Sequence, residues 1–182
     1  MPISIDLLQD VLQRSLAEFF DHEASALIAG VNERNSCGRL AMYMQRIANE
    51  SGLVGYFADT EYNRMQGGQI KTILGKSMKI ITINCDIILH SRGGSVTEDN
   101  LIAIEMKKSQ RPVREKNEDR DRLRTLTKRS YDRVWSNDGT THPEHVCGYR
   151  LGAYIEVNNP KRNVRIEYFM HGKRVESVAR LY

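Results

Sequence analysis

Residues 83–90, INCDIILH, and residues 100–109, NLIAIEMKKS, decide how this chain reads. Each is a run of β-branched and other apolar residues broken by charge at one place. The first carries Asp86, and the second carries Glu105 and Lys107. A charge taken out of water without a partner costs several kcal/mol. Two neighbouring apolar strands that both tolerate a carboxylate therefore point to a compensating group. Side chains alternate across a strand, so Glu105 and Lys107 share one face, while Ile104 and Met106 face a packed layer. Asp86 shares its face with Ile88. If the two strands pair through the 91–99 connection, Asp86 and Glu105 can converge on one cation.

Such a pair suits Mg²⁺, which keeps several waters and takes its remaining ligands from substrate phosphate. A bound ion of that kind polarises a phosphoryl group and lowers the pKa of its water. Lys107 would orient that water or neutralise charge developing on the phosphate. A Glu-x-Lys triplet alone is commonly no more than a strand-end ion pair. The apolar strand before it and the preceding strand bearing Asp86 shift that weighting.

Working outward, residues 4–20 read as an amphipathic helix, with Leu7, Leu8, Val11, Leu12, Leu16, Phe19 and Phe20 at helical spacing. Residues 31–50 read as a second helix. Its stripe of Cys37, Leu40, Tyr43, Met44 and Ile47 also takes in Glu33, and Gly52 is its stop. Strands are expected at 54–63, 79–90 and 100–107, with a glycine-bearing irregular or hairpin excursion at 65–78 and a turn at SRGGS. A basic helix follows at 117–130 and a loop at 131–145. CGYRLGAYIEV and RNVRIEYFMHG then read as two closing strands joined by an Asn-Asn-Pro turn.

The chain has 182 residues, of which 40% are hydrophobic and 27% charged, the profile of one globular domain with a real core. No run approaches the roughly 18 apolar residues of a membrane span, so no membrane association is expected. The start, MPISIDLLQD, lacks the basic and apolar regions of a signal peptide. Cys37, Cys85 and Cys147 are odd in number and widely spaced, which argues for a reducing cytoplasm. Between Lys107 and Arg133 stand eleven Lys/Arg against five Asp/Glu, whereas the whole chain carries only +4. A polyanion partner and a solvated helix face are equal readings of that run.

These strings are similar to those of the PD-(D/E)XK nucleases, the restriction-endonuclease-like superfamily. VNERNSCGRLAMYMQ, DTEYNR, CDIILHSRG and LIAIEMKKS carry the resemblance, which covers most of residues 31–157 and is nearest to small members of the group. It implies an α/β fold with a core of helix, three strands, helix and strand. To that core the chain adds an N-terminal helical extension (1–30) and a C-terminal strand (158–182), all in one domain. By resemblance, Asp86 and Glu105 would be the metal-binding carboxylates, with the backbone carbonyl of Met106 a further ligand. Lys107 would be the catalytic lysine, and Glu33 the helix glutamate that completes or supports the site. The implied activity is Mg²⁺-dependent hydrolysis of nucleic-acid phosphodiester bonds, DNA favoured, with Mn²⁺ as a substitute. Cys85 stands where the motif's proline would be, a position that does no chemistry.

Other positions carry weaker signals. Glu61 is a further metal-side carboxylate, a partner of Lys107, or the partner of Arg64. Lys108, Arg111, Arg114 and Arg122 on the basic segment, and Lys71 and Lys76 in the glycine-bearing loop, are candidate phosphate contacts. Several arginines of that helix can instead pair with Glu115, Glu118, Asp119 and Asp121 at helical spacing. His142, His145 and Cys147 fall short of the four ligands of a structural zinc site. Trp135 is read as a core residue. The broad apolar face of the first helix packs on its own sheet or forms a dimer contact. Two other readings stay open: a nucleic-acid-binding module without turnover, and a subunit active only within a larger assembly.

Overall fold

The computed structural model describes residues 2–61, 72–74, 80–82, 85–94, 98–129 and 148–182. Helix α1 (Ile5–Ile28) starts at Ser4, whose side chain accepts from the Leu7 N–H. Its apolar stripe is fully buried from Leu8 through Phe19. The helix runs eight residues past the expected end. Leu27 lies seven residues beyond Phe20 on the same stripe, and Gly30, at φ 86°, follows the end. Helix α2 (Glu33–Glu50) is capped by Asn32, which accepts from Asn35 N–H at 2.8 Å. Gly52, at φ 84°, follows its end.

The main sheet has six strands: β1 (Phe57–Thr60), β4 (Ile87–His90), β5 (Asn100–Lys108), β6 (Leu151–Asn158), β7 (Asn163–Met170) and β8 (Lys173–Leu181), in that spatial order. β1, β4 and β5 are antiparallel, β6 lies parallel to β5, and β7 and β8 continue antiparallel. Strands β2 (Thr72–Leu74) and β3 (Ile80–Thr82) pair only with each other. The long strand expected at 79–90 is therefore two strands in two sheets. Asp86 sits in a bend immediately before β4, where its carboxylate is held by the neighbouring strand. Helix α3 (Val113–Leu126) lies between β5 and β6 in the chain and starts four residues earlier than expected.

α1 and α2 cover one face of the sheet, over Ile87, Leu89, Ile102, Ile104, Met106, Ile155 and Val157. α3 covers the other through Leu123 and Leu126, over Ile88, Ala103, Tyr154 and Phe169. The apolar face of α1 is thus spent on its own molecule. In place of the single C-terminal strand there is a hairpin. His171 and Gly172, at φ 51° and 75°, make the two-residue turn between β7 and β8. The loop expected at 131–145 lies outside the described residues, as do Trp135, His142, His145 and Cys147.

Gly152 on β6 lets α3 approach. A Cβ there would sit 2.9 Å from Thr127 Cγ2 and 3.1 Å from Phe169 Cβ. Gly152→Ala is expected to lower unfolding free energy by about 1–3 kcal/mol, the usual cost of overpacking. Urea unfolding followed by circular dichroism reads this, and an unchanged midpoint would mean that α3 is free to lift from the sheet.

Candidate active site

The bend before β4 brings Asp86 against β5. Its Oδ2 accepts from the Met106 N–H at 2.8 Å, and its own carbonyl accepts from the Glu61 N–H at 3.3 Å. Asp86 is half-buried. Burial raises its carboxyl pKa, and the Met106 N–H and the Lys107 charge only partly oppose that.

Glu105 is 0% exposed, in the middle of the sheet under α3. Arg122 Nη1 lies 2.5 Å from Glu105 Oε1. Glu105 Oε2 is buried with no hydrogen-bond partner. Burial pushes the Glu105 carboxyl up first, and the charge of Asp86 adds to it. Together they outweigh Arg122. Burial disfavours the charged form of Arg122, but Glu105 beside it more than compensates and raises its pKa.

Lys107 projects from the same face as Glu105. Its Nζ lies 3.3 Å from Asp119 Oδ2, an ion pair without hydrogen-bond alignment. Burial alone would lower the lysine pKa. Asp119, Asp86, Glu105 and Glu33 together outweigh it, and the net direction is up. Lys107 is thus held as an ammonium. Asp119 is 4% exposed and also lies 3.3 Å from Arg122 Nη1. The cluster therefore holds three carboxylates against two cations. The orphaned Glu105 oxygen and this residual negative charge fit a bound cation.

Asp119 and the true role of Arg122 escape a reading based on pairing along the helix. The signal for them was present: positions 119, 122, 123 and 126 form one helical stripe with Leu123 and Leu126. Arg122 is turned inward, onto Glu105 and Asp119.

Glu33 sits at the first turn of α2. Its Oε1 accepts from the Lys108 N–H at 2.9 Å and lies 3.5 Å from Arg111 Nε. It fastens the end of β5, one residue past Lys107, with no hydrogen bond to Asp86 or Glu105. Its charge still reaches the cluster: burial raises the Cys37 thiol pKa, and Asp86, Glu105 and Glu33 all add to that rise. Glu61, at φ 50°, makes a two-pronged pair with Arg34 at 2.7 Å for each contact. Arg64 lies outside the described residues, as do Lys71 and Lys76. Lys108 Nζ donates to the Gly30 carbonyl at 3.0 Å. Of the named basic positions among the described residues, Arg114 is the most exposed, at 84%, and it faces Glu118 at 3.9 Å.

Among the described residues, no group of three or more His, Cys, Asp or Glu side chains is arranged as a metal cage. The candidate donor set is the Asp86–Glu105 pair, with the Met106 carbonyl between Glu105 and Lys107 in the chain. None of the described helices is long and apolar enough to cross a membrane.

Asp86 and Glu105 bind their protons more tightly in the fold than in the unfolded chain. Their contribution to stability is therefore fullest at low pH. It declines as pH rises from the ordinary values of 3.8 and 4.5 through the raised folded values. Without metal, wild type is expected to lose more thermal stability over that range than Asp86→Asn, which keeps an acceptor for Met106. Mn²⁺ should restore the loss near neutral pH in wild type and not in Asp86→Asn. Differential scanning fluorimetry across pH checks both, and equal Mn²⁺ shifts in the two proteins would refute the assignment. Arg122→Met should destabilise by about 3–5 kcal/mol, because it strands a buried carboxylate. A denaturant midpoint within error of wild type would contradict that.

Comparisons of the chain with protein-family models, curated proteins and solved structures returned no match, so the site is read from its own residues.

Proposed function

We propose that this chain is a divalent-metal-dependent nuclease of restriction-endonuclease-like architecture, acting on the phosphodiester bonds of nucleic acid, with DNA favoured. The observation that carries the reading is the Asp86–Glu105 pair, with a buried, unpartnered oxygen on Glu105 beside the ammonium of Lys107. The order of α2, three antiparallel strands, α3 and parallel β6 supports the fold assignment. The sequence resemblance supports the substrate class. Cys37 and Cys85, both free and buried, accord with a reducing cytoplasm.

Asp86, Glu105 and the Met106 carbonyl would hold Mg²⁺, or Mn²⁺ in its place. Such an ion, when bound, supplies Lewis acidity at the phosphoryl oxygen and an activated water. Lys107 stays protonated, so it acts as a charge and a hydrogen-bond donor rather than as the base. It orients the attacking water and offsets negative charge on the phosphate. Asp119 positions Lys107 and ties it to α3. Glu33 supports the site from the end of β5, outside the ligand set.

A second reading rests on one observation. Arg122 already occupies one oxygen of Glu105, as it would in a nucleic-acid-binding domain without turnover. In a subunit active only within an assembly, the partner would displace it.

Purified protein with supercoiled plasmid, linear DNA and RNA, each with Mg²⁺ or Mn²⁺, separates these readings. Cleavage is expected from wild type, with a loss of about a hundredfold or more in Asp86→Ala and Lys107→Ala, and none with a chelator. Equal cleavage by all samples would sink the proposal. Salt-sensitive DNA binding without cutting, unchanged in Asp86→Ala, would favour the module without turnover.

A further inference from the structure

Strand β8 ends the sheet, and all nine of its residues are exposed. An uncovered edge of this length is a template for another strand. It carries three exposed large apolar side chains: Val175 at 49%, Val178 at 41% and Leu181 at 78%. Glu176 and Arg180 on the same strand have no ion-pair partner among the described residues. The register against β7 skips at Val175, where Phe169 faces Arg174 and Tyr168 faces Glu176. This bulge leaves 176–181 as the regular edge.

We propose that the partner of this edge is the β8 of a second copy of the chain, paired antiparallel about Val178. Symmetry and charge select this register. A twofold axis perpendicular to the sheet pairs residues of equal parity only, so each possible register is centred on one residue. Centring on Glu176 opposes two glutamates and centring on Arg180 two arginines, while centring on Ser177 sets Glu176 against Val178 and centring on Ala179 sets Arg180 against Val178. Centring on Val178 opposes Glu176 to Arg180 twice, Ser177 to Ala179 twice, and Val178 to itself. Opposite charges and apolar pairs across strands are favourable, and like charges are not. The register that satisfies the charges therefore also sets the exposed Val178 against its own copy across the axis. Main-chain hydrogen bonds between the edges would join two six-stranded sheets into one. This inference stands apart from the proposed chemistry, since β8 lies at the far edge from β1 and β4.

Sedimentation equilibrium of the full chain tests it, with circular dichroism to confirm that each variant is folded. Wild type is expected to reach twice the 20.9 kDa chain mass at concentrations of about 100 μM or below. Glu176→Arg should weaken association about tenfold or more, because it opposes arginines at two symmetric places. The double variant Glu176→Arg with Arg180→Glu restores opposite charges and should recover the dimer. A monomeric wild type, a Glu176→Arg protein that dimerises as well as wild type, or a double variant that stays monomeric would each overturn the proposal.

Discussion

The buried carboxylate of Glu105 and the guanidinium of Arg122 set the position of everything around them. Glu105 lies in the centre of the sheet with no access to water, so its charge must be met from within the protein. Arg122 meets it from α3, and the same helix face delivers Asp119 to Lys107. Leu123 and Leu126, next on that stripe, press the helix onto Ala103, Tyr154 and Phe169. One pairing thus fixes the register of α3 and the orientation of the lysine. It also leaves a single oxygen of Glu105 without a hydrogen-bond partner.

The basic segment after β5 acquires a different meaning from this geometry. Three of its cations, Lys116, Arg120 and Arg122, are counter-charges to acids on the covered face of the sheet. Arg120 holds Glu167 and Glu156 and stacks on Tyr154, while Lys116 faces Glu156 at 3.5 Å. Further pairs run along the helix, Arg111 with Glu115 and Arg124 with Asp121. A polyanion reading and a solvated-face reading both placed these charges outside. Lys116, Arg120 and Arg122 face inward, and their charge is met within the fold.

Much of this was legible in the chain because the relevant periods are short and local. The parity of β5 put Glu105 with Lys107, and the apolar stripes marked α1 and α2. The rest was hidden for identifiable reasons. The second half of α1 has a single buried apolar residue, Leu27, after Phe20. Strand β8 has no buried face, so it shows no alternation to read. Asp86, just before β4, reaches a main-chain N–H on another strand, a long-range contact that no local pattern encodes. Asp119 and Arg122 resemble an ordinary helical ion pair until the sheet beneath them is known.

The proposed function stands on a divalent cation shared by Asp86 and Glu105 next to Lys107. Crystals soaked in Mn²⁺ and measured at a wavelength with manganese anomalous signal address it directly. The account predicts one strong anomalous peak between these two carboxylates, with oxygen distances of roughly 2.1–2.3 Å. A map in which Arg122 remains on Glu105 and manganese is absent or bound elsewhere would contradict it.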